Sequence, residues 1–343
     1  MKNHILVLAL GSAMALSACG GGGGGGGSTT PPPVTTTPPP VSTQSSITAA
    51  NATSAASNAY AATTSVGTSS DTLTAILTGV SVSRVNINTV APVLNLVKLA
   101  YSGKQLLVGV TNVQNCAVSG TLTLDATLGN PSANTFSNGD SMTVTATNCV
   151  NDATNNESVN GTLSIKFSGV SGSIPSKVFG VTMDTTFTDF NITSGTTKVG
   201  VKGDMKIVLN QTSAGMNNIA LSGSSLQTTE QQGSAAVVNR TITGYTVTGK
   251  NESGVSTSAA DFGLSGTSPK LGTFTYTVKN LAPFVINAGA AVPSSGSLIV
   301  TGNASSVTAT VVANGVRVDF SAAGNGTITS TETVAWNAFL SSI

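Results

Sequence analysis

Beyond about residue 104, apolar and polar residues alternate one for one. Leu122, Leu124, Ala126 and Leu128 alternate with Thr121, Thr123, Asp125 and Thr127. Met142, Val144 and Ala146 alternate with Thr143, Thr145 and Thr147, and Leu163, Ile165 and Phe167 with Thr162, Ser164 and Lys166. Phe274, Tyr276 and Val278 repeat the pattern around Thr275 and Thr277. Successive side chains of a strand point to opposite faces, so a period of two predicts strands with one dry and one wet face. Similar runs lie near 178–192, 197–210, 217–229, 237–248, 296–302 and 327–336. Asn314-Gly315, between 309–312 and 316–320, is a strong signal for a two-residue hairpin turn. Roughly a dozen strands follow, joined by turns rich in Gly, Asn, Asp and Ser. Half-wet alternation implies antiparallel pairing. The expected fold is mainly β: a large antiparallel curved sheet or barrel, with a β-sandwich as the alternative.

Before residue 104 the period changes. Ala49, Ala52, Ala56 and Ala59 or Tyr60 fall at helical spacing, with Ser45-Ser46 as the expected cap. A second short helix is expected at 71–77, capped by Asp71. A third is expected at 88–101, with Pro92 in its first turn and Val90, Val93, Leu94, Val97 and Tyr101 on one stripe. These short N-terminal helices are expected to cover one face of the sheet. The chain thus divides into 1–18, a tether at 19–45, a helical segment at 46–103 and a β body at 104–343.

Residues 1–18 have the parts of a secretory signal: Lys2, an apolar run from Ile5 to Leu16, then the small Ser17 and Ala18. The run is shorter than the ~20 residues a membrane-spanning helix needs. Eight glycines, Gly20 to Gly27, follow Cys19 and have no side chains to pack. Pro31 to Pro33 and Pro38 to Pro40 add two stiffer polyproline turns.

Charge narrows the possible chemistry. The chain has 14 Lys and Arg, 13 Asp and Glu, and one histidine. Loss of Lys2 and His4 with residues 1–18 leaves acids and bases equal in number and no histidine. No basic patch for nucleic acid is visible. Without histidine, Ser-His-Asp and Cys-His catalysis and histidine-based zinc or copper sites are excluded. Asp184 and Asp189 fall on opposite faces of one expected strand, and Glu230, Glu252 and Asp261 read as solvated surface carboxylates. Asp140, Asp152, Asn155, Asn156 and Glu157 form a cluster of oxygen ligands, but its spacing fits no EF-hand, and turn formation explains it better. Gly169-Val170-Ser171-Gly172 leads into another strand and not into a helix, so it is no phosphate loop. The expectation is no catalytic residue, no metal and no cofactor.

With Cys19 set aside, Cys116 and Cys149 remain and are expected to form one disulfide in an exported chain. They bracket a hairpin with strands at 119–128 and 141–148. Pairing Leu122 or Leu124 with Met142 or Val144 needs an even index sum, whereas that of the two cysteines is odd. A bulge must therefore intervene, and Gly120 is its natural place.

Leu16-Ser17-Ala18-Cys19 resembles the lipobox of bacterial lipoproteins. That resemblance implies acylation of Cys19 and removal of residues 1–18. Gly20, rather than Asp, follows the cysteine, and by resemblance to the enterobacterial sorting rule this implies the outer membrane, at its periplasmic side or the cell surface. The segments ITAANA (47–52), GDSMTVTATNC (139–149), NGTLSIKF (160–167) and FVINAGAAVPSSGSLIVTG (284–302) look like a group of proteobacterial outer-membrane lipoproteins that carry no known activity. The lipobox with polyglycine also looks like neisserial surface lipoproteins that capture host proteins. The functional expectation is a non-enzymatic, lipid-anchored binding or structural module, its membrane partner reached through Cys19, with a protein partner left open. The alternative is a carrier of a lipid or other apolar ligand in a hollow of the sheet.

Overall fold

The structure is a computed structural model that describes residues 44–63, 111–116, 118–130, 137–150, 157–173, 178–213 and 216–343. The helices expected at 71–77 and 88–101, and Cys19 with residues 20–43 of its tether, lie outside the described residues. Helix α1 covers residues 52–63. Fourteen strands follow among the described residues: β1 (Asn112–Asn115), β2 (Ser119–Thr127), β3 (Ser141–Val150), β4 (Glu157–Ser173), β5 (Val178–Ser194), β6 (Thr197–Ser213) and β7 (Met216–Gln232) make the first half. The second half is β8 (Val238–Glu252), β9 (Val255–Ser268), β10 (Gly272–Ile286), β11 (Ser295–Gly302), β12 (Ser305–Val312), β13 (Gly315–Ser321) and β14 (Ser330–Val334). A last short helix, α2, spans Trp336–Leu340.

All fourteen strands form one antiparallel sheet in strict sequence order, each paired with its chain neighbours. Of the expected forms, the curved open sheet is the one adopted. It is a single sheet, not a sandwich, and β1 and β14 are its two edges rather than partners that close a barrel. The edge strands are only four and five residues long, and β14 has no alternating buried positions to continue the wall. Strands β4 to β7 have 17 residues each, or roughly 55 Å at about 3.3 Å per residue.

Such long strands stay curved because a line of bulges crosses them. The ladder shifts at Ser119/Thr121, Ala146/Cys149, Asn160/Thr162, Phe187/Phe190, Gly203/Lys206, Thr243/Thr246 and Val278/Phe284. Read through the pairing register, these shifts lie side by side from β2 to β10. Extra residues on β3 and β5 oppose glycines on β2 and β4. Gly120 has φ +79 and faces the Asn148 carbonyl so closely that a Cβ would lie 2.0 Å from its oxygen. Gly161, at φ +108, faces Asp189 in the same way. Bulges bend and twist the strands that carry them, so a row of them creases the sheet into two leaves. The bulge expected at Gly120 is therefore present, and it is one of a series.

One apolar cluster fills the inner side of the crease. It runs from Leu122 and Met142 through Phe167, Phe190, Leu209 and Tyr245 to Val300 and Phe320. Burial switches parity across the bulge on β5: Val181, Met183 and Phe187 are buried before it, and Phe190 and Ile192 after it. The inner face thus stays apolar along the whole strand.

Three local expectations change. Strand β9 was not expected, because Ser, Thr, Ala and Gly hold most of its positions and only Ala260, Phe262 and Leu264 mark its inner face. The run expected at 327–336 breaks into β14 and α2. The β12–β13 turn is Ala313-Asn314, one residue before Asn314-Gly315, since Val312 pairs with Gly315. That register sets Val307 opposite Phe320 and Ala309 opposite Val318, keeping large apolar pairs on the inner face. Gly315 serves a different need: a Cβ there would lie 2.1 Å from the Val334 carbonyl oxygen of β14.

Candidate functional site

The first described residues do not form a helix. Residues 44–47 run as a strap along the end of β10 and the β11–β12 turn. Ser45 N donates to Thr275 O (2.9 Å), and Asn303 N donates to Ser45 O (3.0 Å). Thr275 N donates to Ser45 Oγ, Gln44 Nε2 to Thr277 Oγ1, and Ile47 N to Ser305 Oγ. The strap passes so near Gly302 that a Cβ there would lie 2.3 Å from Ser45 O.

Ser45-Ser46 accordingly caps nothing; the polar groups of Ser45 go to the sheet. The chain turns at Thr48–Asn51, where Thr48 N donates to Asn51 Oδ1 (2.7 Å) and Asn51 N to Thr48 O (3.1 Å). Asn51 O then accepts the first helical bond, from Ala55 N. Asn favours this place because its short side chain bonds local backbone donors.

Helix α1 is buried nearly all round. Ala55, Ala56, Ala59, Ala61 and Ala62 are fully buried, as are Ser57 and Asn58. The alanines let other elements approach closely, and three polar side chains find backbone oxygens. Ser57 Oγ donates to Phe339 O (2.6 Å), Asn58 Nδ2 to Ser54 O (2.9 Å), and Thr63 Oγ1 to Ala59 O (3.1 Å). Thr53 Oγ1 reaches Glu332 of β14. Tyr60 packs edge-on to Phe284, just past the crease on β10, and against Trp336 and Phe339 of α2.

The electrostatic centre is Arg240 on β8, only 1% exposed. Its Nε donates to Asn58 Oδ1 at 3.1 Å, and its Nη1 lies 3.5 Å from Glu230 Oε2 on β7. Burial pulls the guanidinium below its usual value, while the charge of Glu230 and its hydrogen bond push the other way. Burying the ion is costly, and a paired carboxylate offsets the cost. α1 thus links Arg240 on one leaf to Phe284 at the other side of the crease.

Glu230 is therefore no solvated surface group. Its side chain is 17% exposed because it follows Leu226 and Thr228 on the inward parity of β7. Arg240 escaped notice for lack of any motif, yet one signal was there: it shares the inward parity of Ile242. Opposite charges at inward positions of consecutive strands, diagonal across the hairpin, mark the pair.

Of the other carboxylates, Asp140, Asp204 and Asp261 serve the backbone. Asp184 and Asp189 both lie on the exposed face, because the bulge between Phe187 and Phe190 cancels their odd spacing. Asp189 pairs with Lys202 at 3.0 Å in an exposed position. Asp204 accepts from Ser224 N, Ser224 Oγ and Ser225 N, and its backbone oxygen accepts from Tyr245 OH (2.6 Å). Asp261 is exposed, yet it accepts Asn280 N, while Asn280 Oδ1 accepts Ala260 N. Asn160 Oδ1 accepts Asn148 N. Asp204, Asp261, Asn280 and Asn160 sit along the crease and satisfy donors that the shifted ladder leaves over. Burial raises the Tyr245 hydroxyl pKa, with the Asp204 charge adding to it, and burial raises those of Tyr60 and Tyr276.

Glu252 pairs with Lys250 at the surface. Asp140, the described member of the oxygen cluster with side-chain contacts, is 2% exposed and accepts Gly129 N and Ser137 N, which closes the β2–β3 loop. Asp152, Asn155 and Asn156 lie outside the described residues. Among the described residues no three His, Cys, Asp or Glu side chains gather as metal ligands. Cys116 and Cys149 stand at disulfide distance, with Cα atoms 5.5 Å apart. They tie the β1–β2 turn to β3.

Comparison with protein-family models, curated proteins and solved structures gave no match.

Proposed function

We propose that this chain is a lipid-anchored envelope protein, held at the outer membrane through acylated Cys19, whose β domain is a non-enzymatic binding or structural module. The anchor rests on the lipobox-like Leu16-Ser17-Ala18-Cys19 and the tether behind it. One observation favours a module over an apolar carrier: the protein's own helix packs on the inner face, against Arg240 of β8 and Phe284 of β10. α1 lies buried there with Phe284, Trp336 and Phe339 around Tyr60. A carrier needs an apolar cavity for its cargo. What the sheet offers outward is instead a Thr-, Ser- and Asn-rich face with few charges, tied by its own hydrogen bonds such as Thr143 to Ser164 and Thr145 to Thr162.

Metabolic palmitate labelling tests the anchor. Label should appear in the membrane fraction and vanish in Cys19→Ser; label retained by that variant would overturn it. Native mass spectrometry of Cys19→Ser protein purified from cells tests the module. A bare mass is expected, and a co-purified lipid would favour the carrier.

A further inference from the structure

We propose that Asn325 is a site of spontaneous deamidation, selected by the fold from several equivalent sequence positions. Asparagine followed by glycine occurs four times in the chain, at Asn138, Asn160, Asn314 and Asn325. Glycine lets its backbone nitrogen swing toward the preceding side chain, because no Cβ restricts it. That nitrogen, after losing its proton to solvent base, attacks the asparagine Cγ. The new C–N bond closes a five-membered succinimide, and the side-chain nitrogen leaves as ammonia. Water then opens one or other carbonyl of the ring, giving aspartate or isoaspartate. Each event consumes a water, releases an ammonia and adds a negative charge.

Three of the four sites are held out of the reactive geometry. At Asn138 the Gly139 nitrogen donates to Phe167 O (2.9 Å), and the side-chain Oδ1 accepts Val170 N. At Asn160 the Oδ1 accepts Asn148 N, and a Cβ on Gly161 would lie 2.3 Å from the Asp189 carbonyl oxygen. At Asn314 the following Gly315 is buried as the first residue of β13, paired with Val312 and pressed on the Val334 carbonyl. Asn325 is placed differently. It and Gly326 are exposed in the loop between β13 and β14. Gly326 N donates to no protein acceptor among the described residues. Nothing lies within 4 Å of where a Gly326 Cβ would stand, so the peptide has room to turn. Thr327 N donates to Asn325 Oδ1 at 3.0 Å. That bond folds the side-chain amide back over the Gly326 peptide and polarises its carbonyl for attack. Gly324 N to Ser321 O and Thr329 N to Phe320 O pin the loop on either side.

Peptide mapping by mass spectrometry, on the full chain incubated at neutral and at mildly alkaline pH, tests this. Asn325 should convert first, to a mixture of aspartate and isoaspartate. Conversion should be faster at the alkaline pH, because the attacking nitrogen must lose its proton. Asn138, Asn160 and Asn314 must first break hydrogen bonds or ladder pairing, so they should lag by about tenfold or more. A synthetic peptide of residues 322–329 gives the rate without the fold, and Asn325 in the folded chain should match or exceed it. The proposal fails if any of the other three sites converts as fast as Asn325, or if Asn325 converts more slowly in the folded chain than in the peptide.

Discussion

At the β1 edge the sheet is held by a covalent bond; at the β14 edge it is held by packed side chains. An open sheet leaves each edge with only one neighbour, and both edge strands here are too short to hold themselves. The β1 edge carries little buried apolar surface: Asn112 is half-buried and the rest of β1 is exposed. Cys116–Cys149 compensates by tying the β1–β2 turn across β2 to β3. The β14 edge has no cysteine. There Tyr60, Trp336 and Phe339 join α1 to α2, and Arg240 with Asn58 fixes the helix to β8. The difference teaches that the two ends need different things. The first needs loss of freedom in the unfolded chain; the second needs contacts that exist only once the whole sheet is present.

The largest effect should come from Phe339→Ala. Deleting a fully buried aromatic ring costs about 3–5 kcal/mol, and Phe339 is 1% exposed. The loss should appear in hydrogen exchange at 52–63 and 336–340 and spare β1 to β3. A loss spread evenly over both edges would break the contrast. Next is removal of the disulfide by Cys116→Ala with Cys149→Ala. A loop spanning 33 positions should contribute about 3–4 kcal/mol. Thermal melts of oxidised and doubly substituted protein measure it, and protection should fall at β1 to β3 while 52–63 keep theirs. An unchanged melt would count against a stabilising cross-link.

The smallest effect is one of pH. Burial raises the Tyr60 hydroxyl above the ordinary tyrosine value. Above about pH 10 the unfolded chain gives up this proton while the folded chain keeps it. The unfolded state then binds fewer protons, so stability falls as pH rises. Melting temperature should decline past about pH 10, and Tyr60→Phe should lessen the decline, leaving the share of Tyr245 and Tyr276. The cross-linked Cys116 and Cys149 do not titrate. A decline unaffected by Tyr60→Phe would remove Tyr60 from this account.

Much of the sheet was legible along the chain. Alternation at Leu122, Met142, Leu163 and Phe274 marked strands, and the odd parity of Cys116 and Cys149 located a bulge at Gly120. Legibility stopped where meaning depended on alignment between strands. Asp189 and Asp261 look like loose surface acids until the pairing register sets them in one crease. Arg240 and Asn58, which are 182 positions apart, share no motif. Ser45-Ser46 has the chemistry of a cap, but Thr275 and Asn303 compete for its groups and win, so the helix starts later, at 52.

The sequence by itself determined that this protein is a β meander with one dry face, and which two cysteines would meet. Both follow from short-range rules: a period of two fixes the faces, and neighbouring strands pair because the connecting turns are short. Only the tertiary structure decided that the bulges line up, that the sheet stays open, and that residues 52–63 pack against β8, β10 and α2. Those outcomes rest on pairings summed across many strands and on contacts over hundreds of residues. No local pattern encodes them, because each depends on where all the other strands have already been placed.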